Sequence, residues 1–597
     1  MERREYLISD LAAAAAEKDA FSEVTSADRW ELFSYETAEV SGRGIIASPR
    51  TTPGPITLDP KLAGWYRIYV SMASEDGMNA VELKLSKDEF SRVASPGKVD
   101  RFISWNSFEV AEESFWKAAD MTGQTLTVAK PEKHFSYTAC LLWLRFVPMT
   151  DGEVALLRKE TETAPRTMYA HMDEDFTWMD QLDPENLRDY CRPIWHMKHS
   201  DVGIFAQEVS SDLCDRTGSL DPASVVTRRN RGDEVFASVR IERARNLFRK
   251  REAILKEEIA YAHACRMQFF AVHRISLSNF GFPYGGEASR IAFKDEHPEF
   301  SCLARDGRRL SFLSFAFPEV QDYMIDQFRK YARIGVDGVT LILTRGIWIA
   351  FEKPVTDLFA QKYGEGIDPR RLPADDPRLY GVKCELMTGF IRRLRGALDA
   401  LRGTGDGRVR IYLAVYCTAE AIRNDGIDVE GLAAEGLIDG VIQSNMTVWE
   451  ETDDVLAEDG LIDLEKYEKK AETSFVIRRS HYNETERIVK GLATFRRIAS
   501  DYGIRVYSEL QWENTVEPEA FAEAARLFYE NGADRLALWD AYPMRVARLP
   551  EWYVTSRLGS REHAASLAED RDRYRRIHKI LSYNGEDFRY CNPSWRG

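Results

Sequence analysis

At 597 residues the chain is too long for one ordinary hydrophobic core, so two or three domains are expected. Its composition, 44% hydrophobic and 30% charged, is that of a folded globular protein. A net charge of -15, spread along the sequence rather than gathered into tails, argues against nucleic acid or an anionic membrane as partner.

Residues 1–24 read as a helical segment built around the alanine run Ala12–Ala16. Glu2, Asp10, Glu17, Lys18 and Asp19 surround that run, whereas a secretory leader needs a longer apolar stretch behind a positive start. No uninterrupted apolar run approaches the roughly 20 residues that span a bilayer, so a cytoplasmic location is expected, with no membrane partner. The eight cysteines are scattered, with no CxxC pair and no His at metal-ligand spacing, which favours free thiols over disulfides or zinc.

Residues 25–150 carry short β-branched or aromatic runs, Gly64–Ala73, Ala80–Ser86, Gln124–Ala129 and Ala139–Val147, divided by Gly, Pro, Asp and Ser clusters. Strands at this spacing without strong helices between them predict an antiparallel β-sandwich. The polar stretch 151–165 reads as a linker.

From 166 to 547 strand-like and helical runs alternate. The strand-like runs are Arg166–Asp173, Asp201–Val209, Met267–Ser276, Gly338–Gly346, Arg410–Tyr416, Asp439–Asn445, Arg505–Trp512 and Arg535–Tyr542. The helices between them have readable ends: Pro318 opens one whose stripe is Val320, Tyr323, Met324, Phe328 and Tyr331, and Gly335 closes it. Pro518 and Gly532 repeat the grammar. Eight such alternations predict a (β/α)8 TIM barrel, because each parallel neighbour requires a crossover. A doubly wound open sheet is the alternative, disfavoured because the first βα turn lacks a phosphate-binding glycine fingerprint. Residues 548–597 are charged and read as a helical extension packed outside the barrel.

In a barrel the C-terminal strand ends converge on one face. Strand by strand they supply His171 and Asp173, Glu208, His273 and Arg274, Arg345, Tyr416, Gln443 and Asn445, Glu509 and Trp512, and Trp539 and Asp540. Acids and amides suit the hydroxyls of a sugar, and an aromatic ring suits its C–H face. Trp348, Trp449, Trp512 and Trp539 fall just beyond predicted strand ends and are candidate platforms, although aromatics there also serve simply to cap barrel layers.

Glycoside hydrolysis generally needs two carboxyl groups flanking the scissile bond. Glu509 interrupts an apolar strand near its end, where a buried carboxylate is costly unless it is paired or employed. A salt bridge to Arg345 is its structural alternative. Glu352 follows strand four through a loop containing Trp348 and Phe351, apolar surroundings of the kind that suit a general acid. Asp540 is its rival, with Glu208 and Asp173 behind.

The stretches His297–Tyr331, Gly335–Val355 and Phe359–Pro369 resemble the glycosyl hydrolase-like barrels of the family-ten-like group. The matching positions are Pro318, Glu319 and Val320 at a helix start, Asp337 and Gly338 at a turn, and Arg345 at a strand end. The resemblance spans roughly 166–545 and implies a carbohydrate-active barrel. Relatives often carry an Asp on strand four, three residues before the Arg; this chain has Ile342 there and Thr344 before Arg345, which leaves Glu352 as the nearest substitute. Gly64–Val70 and Phe115–Val128 resemble the jelly-roll modules that accompany carbohydrate enzymes, which makes the front domain carbohydrate-binding-module-like.

The expectation is a glycoside hydrolase acting on an oligosaccharide or glycoside, with Glu352 as acid and Glu509 as the second carboxyl. Around the carbohydrate would stand His171, Asp173, Glu208, His273, Arg274, Arg345, Trp348, Tyr416, Asn445, Trp512, Trp539 and Asp540. No cofactor or metal is expected, and a homodimer is compatible with this organisation. The alternatives are a non-catalytic sugar-binding protein on the same scaffold, motivated by the missing strand-four Asp, and a metal-dependent hydrolase or isomerase using His171, Asp173 and Glu208.

Overall fold

The computed structural model describes residues 4–73, 79–97, 110–131, 138–172, 186–209, 250–276, 291–344, 346–405, 407–444, 446–447, 456–473, 481–482, 485–510, 517–541, 543–567 and 571–587. Eight parallel strands close into a barrel: β1 (Met168–Met172), β2 (Val202–Glu208), β3 (Gln268–Arg274), β4 (Gly338–Ile342), β5 (Arg410–Val415), β6 (Gly440–Gln443), β7 (Arg505–Leu510) and β8 (Arg535–Leu538). Pairing of β8 with β1 completes the ring, which excludes the open doubly wound sheet. The strands sit where the apolar runs predict them. The helix Pro318–Ile334 starts on Pro318, buries Val320, Met324, Phe328 and Tyr331, and stops at Gly335, whose φ of +120° a side-chain-bearing residue rarely adopts.

Alternation along each strand sorts side chains between the barrel interior and the helix-covered outside. Four rings from the odd strands, Tyr169, Phe270, Tyr412 and Tyr507, fill one interior layer, with neighbouring centroids 4.9–6.5 Å apart. The Tyr169 hydroxyl donates to Thr340 at 3.0 Å. The even strands make room for these rings: a Cβ on Gly338 would stand 2.4 Å from Phe270, and one on Gly440 would stand 2.8 Å from Tyr412.

Each of these glycines follows an aspartate that stitches the barrel floor. Asp337 accepts the Phe269 N–H at 2.8 Å and Asp439 accepts the Ile411 N–H at 2.9 Å, so the Asp-Gly pair recurs for one reason on β4 and β6.

Among the described residues the front domain holds two sheets, one of nine strands and one of four, antiparallel except at the edge where Phe21–Ser22 runs parallel to Trp30–Thr37. Its inner core includes Trp30, Ile68, Val70, Leu83, Val128 and Leu144. On the four-stranded sheet, Thr57, Glu82, Lys84 and Thr127 alternate with the buried residues, so the side turned away from that core is polar rather than aromatic.

Three segments differ from their sequence reading. Among the described residues of 1–24 the strand Tyr6–Ile8 pairs with Leu144–Phe146, and only Leu11–Ala14 is α-helical, capped by Asp10. The expected linker 151–165 is mostly the helix Asp151–Thr163, because Thr150 and Glu153 form a capping box and Glu153 also binds Arg67 at 2.9 Å. Residues 548–597 are not wholly helical: after three short helices, Arg575–Tyr583 is a strand. Its first half pairs with Val110–Ser114 and its second half with Tyr35–Thr37. Arg575, His578 and Ile580 turn inward, and the Arg575 guanidinium pairs with buried Glu112 at 2.9 Å. The charged composition hid this alternation.

Among the described residues, Cys140, Cys191, Cys265, Cys302, Cys384 and Cys417 are buried, and no helix is long and apolar enough to cross a membrane.

Replacing Gly338 by Ala should cost about 1–3 kcal/mol, because the new methyl group meets a ring packed on every side. Thermal unfolding of the purified variant checks this, with a clear fall in midpoint expected.

Candidate active site

The strand register decides which strand-end residues reach the mouth. Above the ring layer, β2, β4, β6 and β8 contribute Ala206, Thr340, Ile442 and Ala537, and the next layer is His171, Val272, Ala414 and Glu509. Glu208 and Trp539 stand above that, with Arg274 at the end of β3 and Asp540 just past β8. Small and apolar neighbours therefore line the cup beneath a polar rim.

The rim is organised around His171, which is fully buried. Its Nε2 lies 3.6 Å from Glu208 Oε2, and its Nδ1 lies 3.5 Å from Asp540 Oδ1. Arg274 Nη2 approaches Glu208 Oε2 at 3.5 Å, and Arg545, on the short helix Pro543–Val546, approaches Asp540 Oδ2 at 3.9 Å. The Trp539 ring is stacked on His171 with centroids 4.0 Å apart. Burial opposes a charge on His171, but the bonds and fields of Asp540 and Glu208 outweigh it and lift its pKa to about 9. Because the two carboxylates approach different nitrogens, they form a bridged ion row with the imidazole between them rather than converging on one point as metal ligands do.

No family model and no curated protein matches the chain. Its structure is similar to the glycoside hydrolase domain of PgaB (BpsB) from Bordetella bronchiseptica, at 13% identity and a TM-score of 0.40, over 66% of this chain and 99% of that one. It is similar to the glycoside hydrolase domain of PelA from Pseudomonas aeruginosa, at 10% identity and 0.31, over 63% and 96%. It is also similar to TtGalA, the α-galactosidase from Thermus thermophilus, at 11% identity and 0.29, over 90% and 94%. These neighbours are glycoside hydrolases, but likenesses this distant carry no argument about activity.

The remaining expected residues divide. His273 lies between Val272 and Arg274, so alternation turns it outward, where it packs against Phe328 and Tyr331 at centroid distances of 5.2 and 5.4 Å. Burial pushes its pKa down to about 3. Gln443 likewise faces outward and donates to the carbonyls of Cys417 and Ile488. Trp348 and Tyr416 are buried in the outer core, the Trp348 indole donating to Asp425 O at 2.9 Å.

Glu352 is buried, but its carboxylate is taken by the Leu303 N–H at 3.2 Å, the Ala350 N–H at 2.9 Å and the Ser314 hydroxyl. It pins the hairpin Ser301–Leu313 to the loop after β4. Asp173, Arg345, Asn445, Trp449 and Trp512 lie outside the described residues. Arg545 was missed by the sequence reading; its one signal is a cation five residues after the strand-eight carboxylate.

Two outcomes follow from these burials. Glu352→Gln should lose about 1–3 kcal/mol of stability in denaturant titration, since it weakens a buried acceptor with three donors. His273 is neutral when folded, whereas in the unfolded chain it gains a proton below about pH 6.5. Acidification therefore favours unfolding, by roughly 2 kcal/mol between pH 6.5 and 5 from this group. Stability measured across that range should fall less steeply in His273→Leu than in the parent.

Proposed function

We propose that the barrel mouth cleaves glycosidic bonds, with Glu509 as the proton donor and Asp540 as the carboxylate that attacks the anomeric carbon or activates water. The observation that carries this reading is the gathering of Glu208, Glu509 and Asp540, residues far apart in the chain, at one end of the barrel. The Asp540 side chain is 22% exposed, and His171 and Arg545 set two positive charges beside it, which stabilises the charge a nucleophile or base must carry. Glu509 is almost enclosed at the end of β7 and is assigned the proton transfer. Glu208, between His171 and Arg274, balances the cations of the rim.

The ligand class is a carbohydrate because the rim mixes carboxylates and guanidinium groups able to bond hydroxyls on every side. One face of Trp539 is occupied by His171, so Trp512, two residues past β7, is the proposed sugar platform. Assigning Asp540 in place of Glu352 follows from the three donors that already occupy Glu352.

A panel of aryl glycosides and oligosaccharides tests this. Glu509→Gln and Asp540→Asn should each lower kcat by about three orders of magnitude in a folded protein, a loss of roughly 4 kcal/mol in transition-state stabilisation. Full activity in Glu509→Gln would move the donor role elsewhere, and loss of turnover in a folded Glu352→Gln would return it to Glu352. A wild-type protein that releases nothing from any member of the panel would end the hydrolase reading.

A further inference from the structure

Three observations converge on His171. Its two nitrogens face carboxylates from different parts of the ring, Glu208 at 3.6 Å and Asp540 at 3.5 Å. Its ring lies on Trp539 at an interplanar angle of 17°, an arrangement in which a cation gains from the indole face. Its own carbonyl accepts the Ala541 N–H at 2.6 Å, so the end of β1 also grips the backbone just beyond Asp540. Asp540 itself has φ of +53°. A residue other than glycine adopts that conformation at a cost, and it persists where surrounding contacts over-determine it.

We propose that His171 is a positioning residue: as an imidazolium it bridges Glu208 and Asp540 and fixes the Asp540 carboxylate at the mouth, a role that rests on the glycoside-cleaving reading above. The charged groups around it form a row of alternating sign, Arg274 from β3, Glu208 from β2, His171 from β1, Asp540 after β8 and Arg545 from the following helix. Glu509 from β7 shares His171's layer, and Tyr169 lies two residues below it on β1.

In that row only the imidazole has an ordinary pKa near neutrality, so the row has one titrating hinge. When His171 loses its proton, Nδ1 becomes an acceptor. The Asp540 N–H already points at that same atom from 3.4 Å, a bond that only a deprotonated Nδ1 accepts, so loss of the proton leaves this bond in place of the one to the carboxylate. Since the two carboxylates raise the pKa to about 9, the bridged form is the one present at neutral pH and is lost as pH rises through that value.

The full chain labelled with isotopic histidine tests this by nuclear magnetic resonance, without need of a substrate. The His171 ring should show imidazolium shifts at about pH 7.5, with a midpoint near pH 9 that drops by about one unit or more in Asp540→Asn and in Glu208→Gln. His171→Gln assigns the resonance, and if that variant does not fold, replacing the other histidines one at a time assigns it by elimination. A neutral ring at about pH 7.5, or a midpoint that neither carboxylate variant moves, overturns the proposal. An imidazolium with shifted midpoints in a protein that cleaves no glycoside supports the bridge and sinks only the hydrolase reading. A neutral ring in an active enzyme does the reverse.

Discussion

Closure of eight parallel strands into a ring is the constraint from which the site follows. Once β8 pairs with β1, each strand must present every second side chain to an interior too narrow for anything but layers. The lower interior is settled by four rings set against glycines, and this solid floor leaves the strand ends as the place where polar side chains can meet. His171 and Glu509, more than three hundred positions apart in sequence, share a layer because the register of β1 and β7 relative to β8 gives them the same height.

The same alternation removes residues from the mouth as firmly as it admits others. His273 and Arg274 are adjacent in sequence, yet one packs under a helix as a neutral ring and the other reaches a carboxylate at the rim. Burial acts on both His171 and His273, and their pKa values move in opposite directions because only His171 has carboxylates on both nitrogens. Desolvation is thus common to both rings, and the local charges decide which way each one moves.

The two parts of the molecule are tied by the C-terminal strand. Arg575–Tyr583 leaves the barrel helices and enters the front sheet, where Arg575 joins Glu112 of that sheet to Glu517, which precedes the last large barrel helix.

Periodicity alone marked the eight strands and their helices, because a strand covered on both faces is a short apolar run and a helix on its outside is an amphipathic one, and both marks are local; closure into a ring rather than an open sheet was decided by the pairing of β8 with β1. The residues that carried the family resemblance, Pro318 and the Asp337–Gly338 pair, turned out to perform local tasks of the same kind, starting a helix and stitching a floor. The mouth was only half legible: strand ends named His171, Glu208, Glu509 and Asp540, but a list of ends carries no register, so it also named His273 and put Glu352 ahead of Asp540. The three donors on neighbouring loops that close on Glu352, and the row of alternating charge drawn from five residues on separate elements, appeared only in the tertiary structure. Pairings across hundreds of residues depend on how the ring closes, and no short window of sequence contains that information.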